Sequence, residues 1–154
     1  MATVTTEPLE ALEQNWYEPP GLISWFTTVD HKRIGMKYLV TALAFFVFGG
    51  IESLIMRAQL GGPELHLLSP EAYNQLFTMH GVTMMFLFAM PVLSGFGNFF
   101  VPLMVGTRDM AFPRLNAFGY WVFLAAGIFL YSAFLIGRAP DAGWFAYTPL
   151  SGPE

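Results

Sequence analysis

Three long apolar runs alternate with polar segments along this chain, from Tyr38 to Met56, from Leu76 to Val105 and from Leu115 to Ile136. Each run meets the roughly 20-residue length that a helix needs to cross the hydrocarbon core of a bilayer. None shows strand alternation, and a helix satisfies its own backbone groups in lipid. The pattern predicts an all-α integral membrane protein whose three transmembrane helices (about 38–56, 76–105 and 115–136) form part of a larger helical bundle.

Composition supports a membrane protein. Hydrophobic residues make up 55% of the chain and charged residues 12%, whereas soluble domains carry about 25% charged residues. Residues 1–30 are polar and acidic and lack a basic leader followed by an apolar core, so we expect a polar N-terminal extension without a secretory signal. Residues 31–154 then form the membrane domain. Cysteine is absent, which excludes thiolate ligands and disulfides.

The seven basic residues are distributed unequally between the two sides of such a membrane protein. One side carries five of them, namely Lys32, Arg33, Lys37, Arg108 and Arg114, and the other side carries Arg57 and Arg138. The positive-inside rule therefore predicts a cytoplasmic N-terminus and a C-terminus outside.

A single histidine, His80, lies within the second apolar run. An imidazole in lipid needs a partner, and two readings are open: it ligates a metal such as haem iron, or it only hydrogen-bonds a neighbouring helix. Counted from Leu76, it lies about 6–9 Å below the outer interface. Gly81 beside it leaves room for a ring or another helix. The two other histidines, His31 and His66, lack ligand spacing and are predicted to be surface residues.

Two further polar groups stand out near the ends of the helices. Asn98, Asp109 and Asn116 fall at the inner side, where they either hold a file of water or act as helix caps and a solvated turn residue. Arg57 ends the first helix on the outer side, where it either snorkels to the interface or contacts a cofactor. Glu52 lies within the first span and either pairs with Arg57 or is protonated in lipid.

Several motifs occur in a specific order, and together they resemble the first three helices of subunit I of the haem–copper terminal oxidases, the cytochrome c oxidase family. The resemblance covers roughly Ser24 to Gly152. The motifs are the segments 29–35, 78–82, 90–91, 95–98, 101–106 and 109–114, with 143–150 similar to the loop after the third helix.

The resemblance implies roles for five residues. His80 corresponds to one of two axial ligands of the low-spin haem, and Arg57 to an arginine that contacts the haem periphery. Asp109 corresponds to the aspartate that begins a proton-uptake path, which Asn98 and Asn116 would line.

The resemblance also implies a respiratory oxidase in an energy-transducing membrane, such as a bacterial inner membrane. Electrons would pass from a cytochrome c type donor to dioxygen, coupled to proton pumping. The expected low-spin cofactor is haem A. Copper, the second haem and the other low-spin ligand belong to later helices of the complete subunit, so this chain alone would be incomplete. The expected partners are those helices, other oxidase subunits and lipid, with no nucleic acid.

Other functions stay open. Quinol-oxidising relatives have an acid and a glutamine matching Glu52 and Gln75, but they carry arginine and histidine where this chain has Phe48 and Ala72. A nitric oxide reductase and a non-redox scaffold or transporter segment are the remaining alternatives.

Overall fold

A computed structural model describes residues 21–152 of the chain. Three helices are long and apolar enough to cross a membrane, and no strand occurs within the described residues, so the predicted all-α membrane fold is confirmed. The helices are α1 (Leu22–Thr27), α2 (His31–Gln59), α3 (Pro70–Val105) and α4 (Pro113–Ile136).

The long helices extend beyond the apolar runs because polar residues form their first turns. Asp30 precedes α2, and its side chain accepts a hydrogen bond of 2.7 Å from the backbone N–H of Lys32. Ser69 precedes α3 and accepts one of 3.1 Å from Ala72. Such caps satisfy backbone donors that have no partner within the helix. Counting apolar positions alone therefore places both helix starts too late.

The short helix α1 lies within the predicted polar extension and packs against the membrane helices. Trp25 and Phe26 contact the ring of Trp121 on α4, with centroid distances of 6.2 and 5.5 Å. The Nζ atom of Lys37 lies 4.5 Å from the centroid of the Trp25 ring. Packed structure thus begins before residue 31, while the predictions for residues 1–20 lie outside the described residues.

The helices α2 and α3 are antiparallel and approach each other closely. A Cβ atom on Gly95 would lie 3.0 Å from the carbonyl oxygen of Gly35, near one end of the pair. Further along, a Cβ on Gly49 would meet Met84 at 2.9 Å and Thr83 at 3.3 Å. Small residues at these crossings allow the backbones to approach, as is typical of membrane helices.

The helix α4 runs parallel to α2. Tyr38 packs against Tyr120, and Phe45 against Tyr131 further along both helices, with ring centroids 5.2 and 5.7 Å apart. Residues that precede α2, follow α3 or precede α4 therefore share one end of the molecule. This topology separates the two groups of candidate residues: His80 lies about 27 Å along α3 from Asn98.

The helix α3 contains a π-helical segment, Thr83–Ala89, between its α-helical parts Pro70–Val82 and Met90–Val105. Pro91 lies two residues after this segment and has no backbone N–H, so it cannot donate to the carbonyl of Leu87. Such segments are frequent at functional sites. The apolar pattern of the sequence did not predict these π-helical turns.

Candidate functional site

The ring of His80 is held by the backbone of the neighbouring helix. Its Nδ1 lies 2.8 Å from the carbonyl oxygen of Gly49. Because a carbonyl only accepts, Nδ1 carries the proton, and Nε2 of the neutral ring keeps its lone pair. The Nε2 atom forms no hydrogen bond within residues 21–152. His80 therefore does hydrogen-bond a neighbouring helix, as one of the two interpretations of the sequence expected. This bond uses only one ring nitrogen, and the other nitrogen remains available to a metal.

His80 lies at the border between the packed and open sides of α3. Thr83 and Leu87 are buried, whereas Phe77 is 54% exposed. The helix starts at Pro70, so about 15 Å of helix precedes His80.

The segment after α4 folds over the turn of α3 that carries His80. The backbone N–H of Gly143 donates to Oγ1 of Thr78 at 2.9 Å. A Cβ on Gly81 would lie 3.0 Å from Cδ1 of Trp144. Gly81 thus leaves room for the ring of this tryptophan.

Arg57 and Glu52 do not interact with each other. Arg57 lies in the last turn of α2 and is exposed. Glu52 is 5% exposed, and neither carboxyl oxygen has a hydrogen-bond partner in the described part of the chain. The only ion pair among residues 21–152 joins Lys32 to Asp30. Of the two alternatives for Glu52, the pairing with Arg57 is therefore wrong.

The two asparagines present unpaired amide atoms at the other end of the molecule. Asn98 is buried, and its Nδ2 donates to the carbonyl of Ser94 at 2.9 Å. Its Oδ1 and the Nδ2 of Asn116 are buried without a partner among the described residues. Neither residue caps a helix, because Asn98 lies inside α3 and Phe112 holds the N-cap position of α4. Buried groups of this kind are commonly satisfied by water.

Asp109 lies in the loop between α3 and α4, at the same end as both asparagines. It is half-buried, and its Oδ1 accepts a hydrogen bond of 2.8 Å from the backbone N–H of Met110. No hydrogen bond joins its side chain to Asn98 or Asn116 within residues 21–152. Any link between the three side chains would therefore run through intervening water.

His31 is buried, contrary to the prediction of a surface residue. It is 1% exposed, and its Nδ1 lies 2.8 Å from the carbonyl oxygen of Asn98. His66 is exposed, as predicted. No cluster of three His, Cys, Asp or Glu side chains suited to a metal occurs in the described range.

Known proteins match this chain over most of its length. A model of the family described as cytochrome c and quinol oxidase polypeptide I matches residues 33–154. The chain is 52% identical over 135 residues to a probable cytochrome c oxidase subunit 1-alpha from Streptomyces coelicolor, covering 86% of this chain and 23% of the relative. It is 50% identical over 143 residues to cytochrome c oxidase subunit 1 of Bacillus subtilis, covering 93% and 23%.

A relative from Halobacterium salinarum, cytochrome c oxidase polypeptide 1, is 47% identical over 136 residues. These three matches cover 86%, 93% and 87% of this chain, and the chain spans about a quarter of the length of the curated relatives it matches. The helical architecture and the ordered motifs agree with the match. This chain belongs to the cytochrome c and quinol oxidase polypeptide I family.

Proposed function

We propose that this chain forms part of subunit I of a respiratory terminal oxidase, where it carries an axial ligand of the low-spin haem and the entrance of a proton-uptake path. The observation that carries the proposal is the hydrogen bond from Nδ1 of His80 to the Gly49 carbonyl, which leaves Nε2 without a partner among the described residues. In metal sites, a histidine commonly donates its other N–H to a carbonyl in this way. Family membership supports the same role.

His80 fits a haem ligand by the chemistry of its donor atom. The Gly49 carbonyl fixes the ring and raises the basicity of Nε2, both of which favour coordination. Haem, expected to be haem A, supplies one-electron transfer when bound. Arg57 is exposed near the end of α2 and would place a positive charge at the haem periphery. The second axial ligand, copper and the other haem are assigned to the remaining helices of subunit I.

The opposite end of the molecule is proposed to take up protons. Asp109 is half-buried and would receive protons from the aqueous phase. The unpaired amide atoms of Asn98 and Asn116 provide a donor and an acceptor for ordered water. Asparagine amides do not titrate near neutral pH, so they would orient water without trapping the proton.

This end is proposed to face the cytoplasm. The excess of basic residues supports that orientation. Lys37 and the rings of Trp25 and Trp121 form a cluster there, with Nζ 4.5 and 5.1 Å from the two ring centroids. Aromatic and basic residues are enriched where a helix leaves the bilayer.

The electron donor is proposed to be a cytochrome c type protein. Phe48 and Ala72 replace the arginine and histidine that quinol-oxidising relatives use, and Glu52 is 5% exposed. Of the polar groups that quinol-oxidising relatives use there, Glu52 is therefore shielded and only Gln75 is partly exposed. The names of the matched oxidase subunits agree with this donor.

Oxygen consumption and proton pumping by the membrane complex that contains this chain are the two measurements that test the proposal. We expect reduced cytochrome c to support the reaction and Asp109→Asn to stop proton pumping. Asp141→Asn, on an exposed residue after α4, is the matched control and leaves pumping unchanged. A complex without haem would instead favour a non-redox scaffold, and activity with quinol alone would overturn the donor assignment.

A further inference from the structure

The carbonyl of Asn98 lacks its usual partner within the helix. In an α-helix, the N–H of residue i+4 donates to the carbonyl of residue i. For Asn98 that residue is Pro102, which lies inside α3 and has no N–H. A buried carbonyl without a donor is costly. The proline thus creates a vacant acceptor at the very residue whose side chain is proposed to line the proton path.

His31 supplies the missing donor from another helix. Its Nδ1 lies 2.8 Å from the Asn98 carbonyl oxygen, and the residue is 1% exposed. Since the carbonyl only accepts, Nδ1 must carry the proton. The hydrogen bond that Pro102 removes is therefore replaced across the α2–α3 interface.

The position of His31 is itself fixed on both sides. It is the first residue of α2, and the preceding Asp30 caps that helix through the N–H of Lys32 at 2.7 Å. One turn later, Gly35 lies against Gly95, with only 2.8 Å between a Cβ built on Gly35 and the Gly95 carbonyl oxygen. The imidazole of His31 is therefore attached to a firmly packed part of α2.

We propose that His31 is a positioning residue that orients the Asn98 turn for proton transfer by replacing the hydrogen bond removed by Pro102. The side-chain Nδ2 of Asn98 is occupied by Ser94, so its buried Oδ1 is the atom left to meet water. A shift of the Asn98 backbone would move that oxygen. This inference rests on the proposed proton path, to which neither His31 nor Pro102 was assigned.

Four variants of the complete oxidase test the inference. His31→Leu removes the donor, and we expect proton uptake to slow about tenfold. Pro102→Ala restores an N–H that can donate within the helix, so the single variant keeps the wild-type rate. The double variant His31→Leu with Pro102→Ala is expected to recover that rate. His31→Asn places an amide N–H close to the position of Nδ1 and should also recover it.

Proton uptake is measured in vesicles, together with kcat and KM for reduced cytochrome c. A positioning role lowers kcat and leaves KM unchanged, because the donor binds elsewhere. His66→Leu, at an exposed histidine, is the matched control. If His31→Leu does not assemble, assembly of the double variant supports the inference.

The inference is overturned if His31→Leu keeps the wild-type rate, or if the double variant is as impaired as His31→Leu in rate or assembly. Asp109→Asn separates this failure from failure of the proposed function. If Asp109→Asn leaves uptake unchanged, the path itself is wrong. The hydrogen-bond replacement is then judged on thermal stability, where Pro102→Ala should cancel the loss caused by His31→Leu.

Discussion

The Nδ1 of His80 donates a hydrogen bond of 2.8 Å to the main-chain carbonyl of Gly49, which joins α3 to α2. The bond depends on close approach, because a Cβ on Gly49 would lie 2.9 Å from Sδ of Met84. A main-chain acceptor cannot rotate away as a side chain can. The orientation of the imidazole is therefore set by the packing of two helices.

Gly49→Ala should disturb this contact. The added methyl would also meet Cγ2 of Thr83 at 3.3 Å, and overpacking of this kind costs about 1–3 kcal/mol. We expect a lower Tm and a shifted low-spin haem band. Gly50→Ala is the control, since nothing lies within 4 Å of its Cβ position. Equal effects of the two variants on Tm and on the haem band would show that the close contact at Gly49 is not their cause.

Gly95→Ala should weaken the α2–α3 pair, whereas Gly97→Ala should not. A Cβ on Gly95 would meet the side chain of Leu39 at 2.9 Å, while nothing lies within 4 Å of one on Gly97. Both substitutions raise helix propensity by a similar amount, so the propensity term cancels in the comparison. Thermal unfolding of the assembled complex measures the difference. A Tm for Gly95→Ala at or above that of Gly97→Ala would contradict the packing described.

Tyr131→Phe should destabilise the protein by about 1 kcal/mol. The Tyr131 hydroxyl lies 2.8 Å from Oγ1 of the buried Thr83, and this hydrogen bond connects α4 to the π-helical segment. Tyr147→Phe, at a 68% exposed position, provides the control. Thermal unfolding of the two variants tests the bond, and no difference between them would count against it.

Arg57→Gln should lower the midpoint potential of the low-spin haem. A positive charge near the haem favours the reduced state, and its loss is worth on the order of 50 mV at an effective protein dielectric. Arg138→Gln removes a charge from the same side and serves as the control. Spectroelectrochemical titration measures both. An unchanged midpoint potential in Arg57→Gln would instead support the alternative in which Arg57 only extends to the membrane interface.

The membrane fold was predictable because the apolar runs are long and contain few charges. The helix starts were not, because Asp30 and Ser69 cap turns made of polar residues. The π-helical segment also escaped prediction. Pro91 gave a signal of local disturbance, but the length of the disturbed region depends on how α3 packs against α2.

Prediction of the candidate residues from the sequence was limited in the same way. His80, Asn98, Asp109 and Asn116 were selected from their types and positions, but the burial of His31 was missed. Its spacing from other histidines excluded a cluster of ligands and said nothing about burial. The signal was the proline four residues after Asn98, which leaves a carbonyl in need of a donor. Which donor fills that place is decided by the antiparallel contact of two helices.

Chemical rescue of His80→Gly is the most direct test of the central claim that His80 ligates the low-spin haem. In the assembled oxidase, we expect this variant to lose the low-spin absorption bands, and added imidazole to restore them by occupying the vacated position. His66→Gly keeps the bands throughout. Low-spin bands that persist in His80→Gly without imidazole would contradict the claim, as would bands that are lost and do not return with imidazole in an assembled complex.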